Sequence, residues 1–250
     1  MKFYKTNKNR KLRFSLINPK KNVIIIFFHG FMSDMTGNKP TAIHHFCKRE
    51  KLGYLRFEYS GHGKSSDEFV NGNISKWTDD AKQLIKAKIK KNRKLIFIGS
   101  SMGSWIALNL AKTFKSQLKA FIGIASAPEF TEDLMWKKFP KKIKKILMKK
   151  KIVEIKNDYG SIYPITKNLI DNGRKNKIFS KLKLNLPTVL FHGTNDKSVP
   201  LVFSLKTRFF FASCPIILNP RKISGVSFSK VLKLCLVSFK NLFQSIAIPS

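Results

Sequence analysis

The residues best suited to chemistry lie at positions 99–103, in the pattern Gly99-x-Ser101-x-Gly103. The apolar run 95–98 precedes the pattern, and helix-forming residues 105–111 follow it. The spacing therefore predicts a strand, a sharp turn and a helix, with Ser101 at the apex of the turn. Such a turn strains the backbone of the central residue, so its neighbours must lack bulk. An exposed serine there is suited to attack on an acyl group, whereas the alternative is a glycine-rich turn without chemistry.

A carboxylate follows another predicted strand. Residues 187–191 form an apolar run that we interpret as a buried strand, and Asp196 comes shortly after its end. Because the carboxyl ends of parallel strands meet at one edge of a sheet, Asp196 is expected on the same rim as Ser101. A carboxylate there can hold a histidine base in the correct tautomer and stabilise its charged form. The alternative is a turn formed by the Asn195-Asp196 pair.

A backbone donor is predicted beside the same rim. The continuous apolar run Val23–Phe28 reads as a buried parallel strand, and His29-Gly30-Phe31 follows it directly. A turn at this point can aim the N–H of Phe31 above the end of the sheet, where an oxyanion would develop.

The remaining pattern alternates strands with helices. An edge strand is predicted at Lys11–Ile17, a helix at residues 40–51, and further strands at residues 54–59 and 120–125. The helix contains His44, His45 and Cys47, which we interpret as surface or packing residues. The glycine-rich loop 60–66 lacks the spacing of a phosphate-binding loop. One helical face is shared by Trp77, Ala81, Leu84, Ile85 and Ile89. This alternation predicts an α/β fold with a mostly parallel central sheet and helices on both faces.

The segment of about residues 128–186 breaks this alternation and is predicted to be a lid inserted over the carboxyl edge of the sheet. Residues 136–151 are dense in lysine with Ile143, Ile146, Leu147 and Met148 between, which is typical of an amphipathic basic helix. A solvated lysine face explains the pattern. Attraction of acidic substrates, or weak binding to an anionic membrane surface, are the functional alternatives.

The chain has 250 residues, 43% of them hydrophobic, which is enough for one large domain. Its 49 Lys and Arg against 14 Asp and Glu give a net charge of +35. The lysines are spread along the whole chain, as the codon bias of an AT-rich genome would produce. A nucleic-acid or membrane-binding protein would gather them on one face, so specific nucleic-acid binding is not expected. Cys47, Cys214 and Cys235 lack metal or disulfide spacing. No apolar run is long enough for a signal peptide or a membrane span, so we expect a cytoplasmic chain.

Five segments together resemble the α/β-hydrolases of the palmitoyl-protein thioesterase and acyl-glucuronide esterase type and their bacterial relatives. They are residues 29–37, 59–63, 99–103, 127–133 and 192–200. The resemblance covers about residues 20–205. It implies Ser101 as nucleophile, Asp196 as triad acid, and an oxyanion hole made by the N–H groups of Phe31 and Met102. It implies ester or thioester substrates and no metal or organic cofactor. An α/β-hydrolase domain is accordingly expected over residues 1–205.

The base is missing. In this fold the triad order is serine, acid, histidine, but none of the five histidines follows Asp196. After Asp196 the sequence also contains no Asp or Glu. We hypothesise a shifted reading frame near residue 202, which would make residues 206–250 an out-of-frame tail and leave the last strand and helix doubtful. A divergent family member, or use of His192 or His62 as the base, are the alternatives. The functional prediction is therefore a serine ester or thioester hydrolase, or else a catalytically inactive protein of the same fold.

Overall fold

A central sheet, with eight strands among the residues that the structure describes, organises the molecule. The computed structural model describes residues 2–156, 162–180, 183–211 and 216–219. The strands are β1 Lys2–Lys5, β2 Lys11–Ile17, β3 Val23–Phe28, β4 Gly53–Phe57, β5 Lys94–Ser100, β6 Leu118–Ile124, β7 Ile152–Lys156, β8 Ile162–Thr166, β9 Thr188–Gly193 and β10 Ile216–Asn219. The strands of this sheet follow the order β1-β2-β4-β3-β5-β6-β9-β10. Strands β4, β3, β5, β6, β9 and β10 run parallel, whereas β2 pairs antiparallel with both of its neighbours, β1 and β4. The predicted mostly parallel α/β sheet is therefore confirmed.

The described part of the chain contains six α-helices: α1 Asn38–Arg49, α2 Ile74–Lys88, α3 Met102–Ala111, α4 Lys141–Lys150, α5 Lys167–Lys175 and α6 Val202–Arg208. Helix α2 begins at the N-cap Asn73, whose side chain accepts a hydrogen bond from the backbone N–H of Lys76. Its predicted apolar face is buried, as is almost all of α3. Helix α1 packs on the opposite face through Ile43 and Cys47. The sheet is thus covered on both faces, which explains why its central strands are continuous apolar runs.

Two predictions about the edges of the sheet need correction. Strand β2 was expected at an edge, but β1 pairs outside it and β2 lies second. The residues of β1, Lys2–Lys5, are mostly exposed, and their pattern is too weak to predict a strand from the sequence alone. The final strand was considered doubtful, yet β10 extends the sheet in parallel with β9, from Ile216 opposite Leu190 onwards. Residues 220–250, including the apolar stretch 226–248, Cys235 and most of the predicted tail, lie outside the described residues, as does Cys214.

The segment between β6 and β9 has its own small structure. A π-helix at Thr131–Trp136 leads to α4, then to the antiparallel hairpin of β7 and β8, and then to α5. The side-chain amide of Asn172 in α5 both accepts from the Ser75 backbone N–H and donates to the Ser75 hydroxyl, which ties the segment to α2. Within the ranges given above, no helix is long and apolar enough to cross a membrane.

Candidate active site

Ser101 occupies a strained turn between β5 and α3. Its backbone has φ 51° and ψ −118°, a conformation that costs a non-glycine residue about 1–3 kcal/mol. The flanking glycines make the turn possible because a Cβ on Gly99 would lie 2.4 Å from the Cα of Ser104, and one on Gly103 would lie 2.0 Å from the carbonyl oxygen of Phe28. Strand β5, the turn and α3 follow one another as the Gly99-x-Ser101-x-Gly103 spacing predicts.

Two backbone N–H groups lie beside this turn. Met102 is the first residue of α3, where an N–H has no partner within its own helix. Phe31 lies in the loop after β3, in a turn closed by a hydrogen bond from the Ser33 N–H to the Gly30 carbonyl oxygen at 3.3 Å. Neither the Phe31 N–H nor the Met102 N–H has a backbone acceptor among residues 2–156, 162–180, 183–211 and 216–219. Both are therefore available to an oxyanion, and Gly30 and Phe31 line the same cavity as Ser101.

His29 orients the N–H of Phe31. Its Nδ1 lies 2.8 Å from the carbonyl oxygen of Gly30, and a carbonyl only accepts, so Nδ1 carries the proton. Nε2 then accepts from the backbone N–H of Tyr59 at 3.4 Å. The Gly30 carbonyl and the Phe31 N–H belong to one rigid peptide unit, so this hydrogen bond fixes the direction of that N–H. Burial, aided by nearby His62, lowers the pKa of His29 to about 3, which keeps the ring neutral.

Asp196 lies in the turn that follows β9. Its Oδ1 accepts hydrogen bonds from the backbone N–H groups of Ser198 and Val199, both at 3.0 Å, and these bonds fix the carboxylate within the turn. The residue is partly exposed and lines the same cavity as Ser101. The structure thus brings together Ser101, Phe31 and Asp196 at the carboxyl edge of the sheet.

The cavity above Ser101 has a volume of about 480 Å³ and is mostly apolar. Its outer wall comes from the segment between β6 and β9 and consists of Phe130, Leu134, Met135, Phe139, Ile155, Tyr163 and Ile165. Phe31 packs its ring against Phe130 at 5.4 Å and Tyr163 at 5.7 Å between ring centroids. An apolar group bound here would be covered by this segment and would reach the serine at the cavity floor.

None of the five histidines lines this cavity, although all five lie in described residues. His192 is fully buried, and its Nδ1 and Nε2 contact the Ser204 hydroxyl at 2.7 Å and the Val199 carbonyl oxygen at 2.8 Å. His62 is buried in an aromatic cluster, and burial lowers its pKa to about 4. His44 and His45 lie on α1, away from the cavity. The alternative that His192 or His62 acts as the base therefore has no geometric support.

A buried ionic network behind the site was not predicted. Asp80 on α2 accepts hydrogen bonds from Arg10 Nε at 2.6 Å and from the Ser60 N–H at 2.9 Å. Arg13 pairs with Glu58 at 3.1 Å. Together these pairs hold the loop 60–66, which contains His62, beside His29. The available signal was Asp80 itself, an acid on the apolar face of a helix.

Cys47 and the possibility of a metal site are the remaining features to consider. Cys47 is buried and unpaired, and burial raises the pKa of its thiol to about 12, so it is not a reactive nucleophile. Across the described residues, no group of three His, Cys, Asp or Glu side chains is placed to hold a metal ion.

The chain is similar in sequence to proteins of a known family. The model of the family "Serine aminopeptidase, S33" matches residues 19–180. The palmitoyl-protein thioesterase ABHD10, mitochondrial, of Rattus norvegicus is 30% identical over 189 residues, which are 74% of this chain and 63% of that protein. Its Homo sapiens counterpart is 30% identical over 179 residues, covering 70% and 58%. The matches span about three fifths of the length of these relatives.

Solved structures agree on the fold. A protein from Agrobacterium vitis S4 has 26% identity and a TM-score of 0.85, with 94% of this chain and 95% of that chain covered. The mouse alpha/beta hydrolase domain-containing protein 10 has 24% identity and a TM-score of 0.84, with 98% of both chains covered. The predicted resemblance is confirmed, and the chain belongs to the α/β-hydrolase family of the serine aminopeptidase S33 type.

Proposed function

We propose that this chain hydrolyses carboxylic esters or thioesters through an acyl-enzyme on Ser101. The hydroxyl oxygen of Ser101 attacks the acyl carbon, and the N–H groups of Phe31 and Met102 donate to the oxyanion that forms. The bond to the leaving alcohol or thiol then breaks, and the leaving group takes a proton from solvent. Water then attacks the acyl-enzyme, and the same two N–H groups donate to the second oxyanion that forms. The single observation that carries this proposal is the strained backbone of Ser101 at the floor of the cavity.

The apolar wall of the cavity favours a substrate with an apolar acyl group. This group would bind beneath residues 128–186. The relatives named palmitoyl-protein thioesterase point to the same chemistry, and the partner is then a small-molecule or acyl-protein ester or thioester. We assign the lid role to residues 128–186 and the catalytic domain to residues 1–205. Helix α6 runs across the latter boundary.

Asp196 is the proposed triad acid, but it has no histidine to orient. The serine proton must then pass to solvent hydroxide rather than to an imidazole. An oxyanion hole and substrate binding alone leave about 10³–10⁴-fold acceleration over water, and Ser101→Ala keeps this residual rate. Attack by Ser101 without a base adds only a modest rate to it, so a slow enzyme is expected. The absence of a histidine from the cavity favours a second candidate: a catalytically inactive protein of the same fold, either a defective gene product or a binding pseudoenzyme.

Turnover of a p-nitrophenyl acyl ester and of the matching acyl thioester separates the two candidates. We expect the wild-type chain to exceed Ser101→Ala by at least tenfold on one of the two substrates. Ser101→Ala removes only the hydroxyl, so it leaves the cavity intact. Equal rates for the two proteins would remove the catalytic proposal and favour the inactive one.

The frameshift hypothesis has its own test in the nucleotide sequence. We expect an alternative frame downstream of codon 202 to encode an acidic tail with a Gly-Asp-His-like segment. If neither alternative frame does so, the hypothesis is wrong.

We also propose a cytoplasmic localisation, although the relatives are named mitochondrial. Fractionation of cells that produce the chain would decide between the two compartments.

A further inference from the structure

The outward face of α4 is cationic. At 100° per residue, Lys141, Lys145, Lys149 and Lys142 fall on one continuous face, and all four are exposed. We call these four residues the lid cationic face. Leu147 points the other way and is buried, with Ile143 and Ile146 half-buried beside it. The helix is thus held to the molecule by its apolar side and presents its lysines to solvent.

The charge of this face is not neutralised by its surroundings. The sequence from Lys137 to Val153 contains no Asp or Glu. Lys137 pairs with Asp133 at 2.6 Å, but in the described part of the chain no carboxylate forms a salt bridge with the lid cationic face. A concentrated field of this kind attracts anionic surfaces.

Two exposed apolar side chains, Met148 and Ile152, accompany these lysines in the sequence. Met148 falls between Lys144 and Lys141 on the helical projection, on the lysine side of α4, and is 48% exposed. Ile152, one residue after the C-cap Lys151, is 38% exposed. Met148 and Ile152 distinguish this face from a lysine face that is only solvated by water, which gains nothing from exposed apolar side chains. A helix with basic and exposed apolar side chains together is typical of binding in the interface of a membrane.

We infer that the lid cationic face, with Met148 and Ile152, is a docking surface for an anionic lipid bilayer. The lysines contact lipid phosphates, and the two apolar side chains enter the headgroup region. A nucleic acid fits less well because the face carries no aromatic side chain to stack on bases. Phe139 and Ile155, on either side of α4 in the sequence, line the cavity above Ser101, so docking would bring its outer wall towards the bilayer. The inference does not depend on catalysis.

The decisive experiment compares two triple variants with equal net charge in a vesicle-binding assay. Phosphatidylcholine vesicles with and without about one third phosphatidylglycerol are titrated against each intact chain. The lid variant neutralises one lysine in each turn of α4: Lys141→Gln, Lys145→Gln and Lys149→Gln. The control neutralises three exposed lysines near the start of β5, at the opposite end of the sheet from Ser101: Lys86→Gln, Lys90→Gln and Lys91→Gln.

We expect wild type to bind the anionic vesicles and not the neutral ones. One lysine near an anionic surface contributes about fivefold to partitioning, so the lid variant should lose on the order of 100-fold, and the control less than about threefold. Equal losses in the two variants would show that total charge alone drives binding, which overturns the inference. Lack of wild-type binding to anionic vesicles would overturn it as well. So would a lid variant that loses affinity for duplex DNA but not for vesicles.

The apolar contribution has a separate readout. Met148→Ser should weaken vesicle binding several-fold, and the effect should persist in 0.5 M salt, where charge interactions are screened. Phe3→Ser is the matched control, because Phe3 is 55% exposed on the edge strand β1. Equal behaviour of the two variants would contradict insertion of Met148. Far-ultraviolet circular dichroism of every variant shows that the fold is retained.

Discussion

Lowering the pH from 7.5 to 5 is expected to destabilise this protein through two buried histidines. His29 and His62 pack with their ring centroids 5.0 Å apart, and His29 contacts the Gly30 carbonyl oxygen next to Phe31. Burial lowers the pKa of His29 to about 3 and the pKa of His62 to about 4. Both rings are neutral in the folded state and take up protons near pH 6.5 once unfolded. The unfolded state therefore binds more protons throughout this pH range.

The size of the effect follows from that difference. Because each folded pKa lies below the unfolded value, the stabilisation is complete well above pH 6.5 and is lost as the pH falls towards the folded pKa. At pH 5, each histidine lowers the free energy of unfolding by about 2 kcal/mol, so the pair lowers it by about 4 kcal/mol. Burial also lowers the pKa of His44, which acts in the same direction.

Urea unfolding at the two pH values measures this loss. His62→Phe should halve it, because an aromatic ring suits the surrounding Tyr59, Trp77 and Phe69 but does not titrate. His45→Gln, at an exposed position of α1, should keep the full loss. An equal free energy of unfolding at pH 7.5 and pH 5 would refute the reasoning, and so would a His62→Phe variant as sensitive as wild type.

Three further predictions test other parts of the structure. Gly103→Ala should lower the free energy of unfolding by at least about 2 kcal/mol because the added Cβ would meet the backbone of Phe28. Gly30→Ala is the control and should cost less, because the nearest contacts of its Cβ lie at 3.5 Å. Urea unfolding compares the two variants. Asp80→Ala should lower the free energy of unfolding by about 3–5 kcal/mol because it removes the fully buried carboxylate and leaves Arg10 only the part-exposed Asp79. A loss below about 1 kcal/mol in the same assay would contradict this. Asp196→Asn should change the Ser101-dependent rate by less than tenfold, whereas loss of the acid in a complete triad costs about 10⁴-fold. A large loss in p-nitrophenyl ester turnover would indicate that a base acts there after all.

The central strands and the turn at Ser101 could be predicted from the sequence because each has a strong local signal. Strand β3 matches the apolar run Val23–Phe28 residue for residue, since a strand covered on both faces must be apolar throughout. The turn at Ser101 was predictable because only glycine fits at positions 99 and 103. The placement of Asp196 in the cavity followed from its position after β9.

The features that escaped prediction depend on contacts distant in sequence. The role of His29 arises from where its ring lies relative to Gly30 and Tyr59, and no local pattern encodes this. The pairing of Arg10 with Asp80 joins residues 70 positions apart. Strand β1 pairs with β2, and its four residues Lys2–Lys5 are mostly exposed and too few to show an apolar period of their own.

The most direct test of the central claim is mass spectrometry of the chain after incubation with a p-nitrophenyl acyl ester. Acylation is helped by p-nitrophenolate, which leaves without taking up a proton, whereas deacylation needs an activated water that no histidine supplies. The acyl-enzyme should therefore accumulate. We predict one acyl group on the peptide that contains Ser101 in wild type, and no modification of that peptide in Ser101→Ala. A wild-type peptide that remains unmodified, or acylation confined to surface lysines in both proteins, would contradict Ser101 as the nucleophile.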